Sequence, residues 1–258
     1  DAIDEGIGVV HERTVKAEYI YSLDKSYGLK SILEVGSGIS AELAAGVGFD
    51  SLVFAVRGKN VVLMDHASEN LEMAKKLYEV VGLEDKIHIV RADQSKMPFK
   101  SDAFDLTFGS YLIEFLINPI VCLREMGRVS KIVLLFATNY LNVGHFLQKI
   151  FGGMIRAPWK KGSKFRTTLW TLRIFANAAG LENIESGAID IPPWPSGIAV
   201  RKPKGFEYLR NLRILTPKKE PWTFRLLRLS YLFEKALPMS IKTLQSHIVY
   251  TVTTKEAF

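Results

Sequence analysis

Cysteine is almost absent. Cys122 is the only one in 258 residues, which excludes an internal disulfide and fits a reducing compartment, so a cytoplasmic location is expected. Long apolar runs are missing too: no uninterrupted stretch reaches the roughly 18 residues a spanning helix needs. The opening "DAIDEGIGVV" has no basic segment followed by an apolar one, which argues against an attached secretion signal, although the chain starts without Met. The five histidines (11, 66, 88, 145 and 247) and Cys122 show no metal-ligand spacing, so no metal site is expected. Internal repeats are not found. What is present is the balance of a soluble globular protein, 48% hydrophobic and 24% charged, with length enough for a full core.

Charge is unevenly spread. Residues 1–150 hold 16 Lys and Arg against 20 Asp and Glu, whereas residues 151–240 hold 16 against 6. Such a split suggests a separate surface for anionic partners such as phosphates, carboxylates, nucleic acid or lipid headgroups. A merely solvated basic face is the alternative.

The first half alternates short apolar runs with helical stretches. "SILEV" (31–35), "NVVLMD" (60–65), "KIHIVRAD" (86–93), "FDLTFGS" (104–110) and "KIVLLFATN" (131–139) read as strands. Between them, "SENLEMAKKLYEVVGL" reads as a helix from Ser68 to a stop at Gly82, and "NPIVCLREMGRV" opens with an Asn118–Pro119 cap. Cys122 falls on the apolar face of that second helix and reads as a core residue. This rhythm predicts a doubly wound α/β fold with a mostly parallel sheet covered on both faces. Past residue 140 the rhythm breaks. "TTLWTLRIFANAAG" reads as a helix, "NIESGAIDI" as a strand, "TFRLLRLSYLFEKAL" as a helix ended by Pro238, and "HIVYTVTTK" as a last strand. The expected organisation is a nucleotide-type core over 1–140, a helix-rich basic substrate-side region and insertion over 141–246, and a closing strand over 247–258.

Ligands of open parallel sheets bind beyond the carboxyl ends of the strands. After the first strand comes Glu34-Val35-Gly36-Ser37-Gly38, where glycines allow a tight turn and close backbone approach. Asp65 ends the second strand, followed by His66, and is placed to accept hydrogen bonds from both hydroxyls of a ribose. Asp93 and Gln94 follow the third, and Gly109, Ser110 and Tyr111 close the fourth. Each signal is weak alone, whereas their order and spacing together are strong.

This set resembles the class I S-adenosylmethionine-dependent methyltransferases of small-molecule type, over roughly residues 12 to 140. "ILEVGSG" is similar to that family's first motif, whose glycines border the methionine part of the cofactor. The resemblance implies that S-adenosylmethionine is the cofactor, with Glu34, Gly36, Ser37, Gly38, Asp65, His66, Asp93, Gln94 and Ser110 around it. Asp65 would be the ribose acid and Asp93 would meet the adenine amino group. The run "YLIEFLINPIVCLREMGRVSK" looks like another family segment, with Glu114, Pro119, Glu125, Arg128 and Val129 on its pattern. A seven-stranded Rossmann-like sheet with an antiparallel last strand is implied as well.

Departures from the family pattern are clear. Ser40 stands where a third glycine is usual, and the span from Gly38 to Asp65 exceeds the roughly 20 residues typical of such sites. Either the helix begins at Ser40, or the turn is extended and the helix begins near Asp50 after Gly46 and Gly48. "DSLVFAVRG" favours the second, with its cap and glycine stop. Phe115 replaces the histidine often found beside Glu114. The catalytic group is not identified; Tyr111, Glu114 and His145 are weak candidates, each with a packing or surface role as the alternative. The expected acceptor is a small or medium molecule with apolar and anionic parts. "HFLQKIFGGMIRAPWKK" and "PWTFRLLRLSYLFEKAL" mix aromatics, leucines and basic residues as interfacial helices do, so peripheral lipid contact is a further expectation. RNA or protein methylation through the basic region, or a non-catalytic cofactor-binding scaffold, are the competing readings.

Overall fold

The structure, a computed structural model, describes residues 7–36, 48–143, 167–191, 229 and 232–255. The chain enters through α1 (Ile7–Tyr27) and passes to β1 (Ile32–Val35), the short α2 (Leu52–Ala55) and β2 (Val61–Asp65). It continues through α3 (Ser68–Val81), β3 (Ile87–Arg91), β4 (Phe104–Ser110), α4 (Pro119–Val129) and β5 (Ser130–Thr138). Then follow α5 (Leu169–Ala178), β6 (Glu182–Ile189), α6 (Met239–Gln245) and β7 (Ile248–Thr254).

The seven strands form one sheet in the order β3-β2-β1-β4-β5-β7-β6. Neighbours from β3 to β5 are parallel, while β7 runs antiparallel to both β5 and β6. The order reverses between β1 and β4, so the crevice for ligands lies over their carboxyl ends. All seven runs read as strands from the sequence are strands here. β1 and β7 are buried along their whole length, as expected of strands covered on both faces.

Local chemistry explains the helices. Asn118 accepts from the Val121 N–H and Pro119 occupies the first turn of α4. Thr168 and Thr171 close a reciprocal capping box on α5. Ser68 is the first residue of α3 and not its cap, which is Ala67. The helix near Asp50 is only the four residues of α2; Ser51 holds the N-cap position, with its hydroxyl turned to the Gly48 carbonyl and Tyr78 instead of the helix N–H groups. Residues 37–47, which hold the remainder of the stretched turn with Ser37, Gly38, Ser40 and Gly46, lie outside the described residues. Two elements have no counterpart in the sequence expectations. One is α1, and the other is α6, which Pro238 initiates as the cap instead of merely ending the previous helix.

Two apolar layers sandwich the sheet. α1, α2 and α3 pack Ile20, Phe54 and Tyr78 against Leu63, Leu106 and Phe108. On the opposite face α4 and α5 pack Cys122, Leu123, Met126 and Leu172 against Leu33, Val133 and Leu135. Each such side chain, fully buried, contributes about 1.5–3 kcal/mol before chain entropy is counted. Tyr19 adds edge-on contact with Phe136 at 5.9 Å between ring centroids.

Candidate active site

The carboxyl edge of the sheet gathers the residues singled out by the motifs. Gly36 leaves β1 at φ +70°, a left-handed turn open to glycine, and its N–H donates to the Met64 carbonyl at 2.9 Å. Asp65 is buried at the end of β2. Its Oδ1 accepts from the Ala67 N–H at 2.9 Å and lies 3.3 Å from His66 Nδ1. The His66 carbonyl in turn accepts from Arg91 Nε at 3.1 Å.

Asp93 is exposed in the turn after β3, where its Oδ1 accepts from the Ser95 N–H and hydroxyl, both at 2.7 Å. Those two bonds, the backbone one foremost, hold its carboxyl below the usual carboxylate range. Gln94 beside it is half-buried. Asp93 therefore keeps its charge while spending one oxygen on its own turn.

Glu34 is buried inside β1, and one of its carboxyl oxygens, Oε2, has no hydrogen-bond partner among the described residues. Burial first, and the neighbouring Asp50 second, push its pKa up to about 8. An orphaned buried oxygen next to a left-handed glycine turn is a place where a polar ligand completes the hydrogen bonding.

Over this edge lies the amino-terminal half of α1, with charged residues turned inward. Lys16 is fully buried, 2.8 Å from Asp50 Oδ2 and 3.6 Å from Glu12. Burial pulls its pKa down, yet Asp50 and Glu12 together leave it above the ordinary lysine value. Ser110 donates to the same Asp50 oxygen at 2.5 Å. Tyr111, at φ +59°, donates its hydroxyl to Glu12 at 2.5 Å, and burial raises its pKa well above the tyrosine value. Glu114 lies buried and accepts from both the N–H and the hydroxyl of Thr138, clamping the turn after β4 to the end of β5. His145 lies outside the described residues.

Sequence reading missed a second cluster, at the ends of β6 and β7. Asp190 accepts from His11 Nδ1 at 2.5 Å and from His247 Nδ1 at 3.0 Å. Despite burial, which pushes the other way, these two bonds keep its carboxyl low. No sequence signal marks contacts across 179 residues. A cavity of about 320 Å³ also exists on the flank of the sheet, lined by Tyr19, Leu23, Ile189, Met239, Lys242 and Tyr250 and by none of the motif residues.

Residues 41–132 match a family model described as a methyltransferase domain. Among curated relatives, it is 33% identical over 90 residues to a demethylmenaquinone methyltransferase of Clavibacter sepedonicus, covering 35% of this chain and 36% of that protein. It is 29% identical over 99 residues to a sterol 4-C-methyltransferase of Caenorhabditis elegans, covering 38% and 27%. The aligned stretches thus span about a third of those relatives. A solved methyltransferase of Thermotoga maritima, described as a possible histamine N-methyltransferase, shares the fold with a TM-score of 0.57 at 16% identity, over 97% of this chain and 92% of that one. The described residues form no cluster able to hold a metal ion, and no described helix is long and apolar enough to cross a membrane.

Proposed function

We propose that the protein transfers a methyl group from S-adenosylmethionine to a small or medium molecule with apolar and anionic parts. One observation carries this reading: the buried Asp65 carboxylate ends β2 beside the left-handed Gly36 turn, where the strand order reverses. The residues present fit the cofactor. Asp65 presents a carboxylate of the kind that ribose hydroxyls donate to, Gly36 lets backbone approach the ligand, and the orphaned Glu34 oxygen offers a partner to its polar end. The cofactor, when bound, supplies an electrophilic methyl.

The chain's own part is positioning and exclusion of water. Lys16, Asp50 and Ser110 hold α1 across the edge, so the cofactor region is roofed by protein. A base is required only if the acceptor must lose its proton first. Tyr111 hydrogen-bonds Glu12 and Glu114 hydrogen-bonds Thr138, which supports a positioning part for both. The sterol and quinone substrates in the names of the curated relatives support an apolar acceptor.

The deciding experiment is calorimetric titration with S-adenosylmethionine and its demethylated product, with Asp65→Ala and Asp65→Asn as controls. Micromolar binding by the intact chain, weakened about tenfold or more in both variants, is expected from loss of a charge-assisted pair of hydrogen bonds. Absence of binding by the intact chain overturns the reading in favour of a scaffold that keeps the fold alone.

A further inference from the structure

Helical residues 232–236 are built inside out. Glu234 points inward, and its two oxygens accept from the backbone N–H groups of Asp190 and Ile191, each at 2.9 Å. Leu232 and Phe233 point outward, 56% and 67% exposed, and Leu229, one turn before, is exposed on the same side. A helix packed on a soluble domain shows the reverse arrangement. α6 repeats the pattern, with Ile241 and Leu244 exposed one turn apart.

Hydrogen bonds gather two more segments around this surface. Asn139 Nδ2 donates to the Thr243 carbonyl at 2.7 Å, and Asn142 Nδ2 donates to the Gln245 carbonyl at 2.6 Å. The exposed Leu141 and Val143 are thereby fixed beside the end of α6. The Tyr140 N–H donates to the Thr167 carbonyl at 2.8 Å, and three residues on Trp170 opens α5 with 71% of its surface exposed. Isolated exposed apolar residues are ordinary, but a cluster drawn from four segments marks an interaction surface.

Charge decides what covers it. Among the described residues from 229 to 247 the single acid is the buried Glu234, and the lysines are Lys235 and Lys242. The sequence continues the bias, with 16 basic against 6 acidic residues over 151–240. A second copy of the same face would set lysine against lysine, which disfavours self-association. We infer that this face docks on an anionic lipid surface, with Leu232, Phe233, Ile241 and Leu244 entering the headgroup layer and Lys235 and Lys242 meeting the phosphates. The loop 139–143 starts where β5 ends, so the docked face borders the carboxyl edge, and an apolar acceptor would travel a short way from bilayer to site. Docking itself stands apart from the methyltransferase reading, because it needs neither cofactor nor acceptor.

The test is co-sedimentation of the full chain with vesicles of mixed phosphatidylglycerol and phosphatidylcholine, and with vesicles of phosphatidylcholine alone. The expected result is binding to the mixed vesicles that weakens at high salt and on neutral lipid. Leu232→Asp with Phe233→Asp should weaken partitioning about tenfold or more, and Lys235→Glu with Lys242→Glu should abolish the preference for anionic lipid. Because these four side chains lie outside the core, thermal melting and S-adenosylmethionine titration of the same variants should match the parent. Failure of the intact chain to bind mixed vesicles overturns the proposal. So does undiminished binding by the Asp variant, or a concentration-dependent dimer that the Asp variant dissolves without any vesicle binding. Vesicle binding without cofactor binding leaves docking in place and removes the methyltransferase reading instead.

Discussion

Glu34 sits where the sheet would accept a neutral side chain more readily than a charged one. With its pKa raised to about 8 by burial and Asp50, the folded state holds a proton that the unfolded chain releases near the ordinary value of 4.5. The folded form therefore binds more protons between those two values, and stability falls as pH rises through that window. Thermal melting from pH 5 to 8 should show this decline in the parent and a flatter profile in Glu34→Gln; equal slopes would count against it. Gly48 is the other residue with little tolerance. At φ +70° a Cβ there would lie 2.9 Å from Leu63 Cδ1, so Gly48→Ala should lose about 1–3 kcal/mol in urea titration. Both positions belong to the glycine-rich stretch legible in the sequence, but only coordinates show the unpaired oxygen and the close approach. Glu114 illustrates the opposite case: the sequence offered it as a weak catalytic candidate or a packing residue, and only the fold shows its hydrogen bonds to Thr138.

Among elements, α1 departs furthest from what patterning reveals. Its buried positions include His11, Arg13, Lys16 and Asp24, so no apolar stripe announces a packed helix. The partners that place those charges include residues distant in sequence, such as Asp50 and Asp190. Removing one partner leaves the other buried and uncompensated, at about 3–5 kcal/mol. Lys16→Met should lose stability on that scale by chemical denaturation, and adding Asp50→Asn should recover part of it. An additive double variant would show that the pair is not coupled. Asp190 acts on the same amino-terminal half of the helix, joining His11 of α1 to His247 before β7. Its lowered pKa means its stabilisation is full above the ordinary aspartate value of 3.8 and is lost as pH falls below it. Asp190→Asn should speed amide exchange in α1 more than in β1, and should remove part of the acid sensitivity of melting. The strands, by contrast, were readable because short Val, Ile, Leu and Phe runs bounded by turns have few alternatives.

At the scale of the whole molecule, the sheet order β5-β7-β6 sets a requirement no local pattern states. β6 is joined to the rest of the sheet through β7 alone, although β7 is the last described element in the chain. Deleting residues 247–258 should therefore leave β6, α5 and the Asp190 cluster without an anchor, and no cooperative melt should survive. Removing only residues 256–258 should change melting little. The same order has a consequence for synthesis. A ribosome that has already made β1 to β5 has produced a sheet whose β5 edge is still uncovered, and about 110 residues must pass before the strand that covers it exists. During that interval the nascent chain presents a hydrogen-bonding edge to any extended segment nearby, including that of another nascent copy. Slow translation between Thr138 and Ile248 would lengthen that exposure, so the yield of this protein in a cell should follow the speed at which the message between those two residues is read.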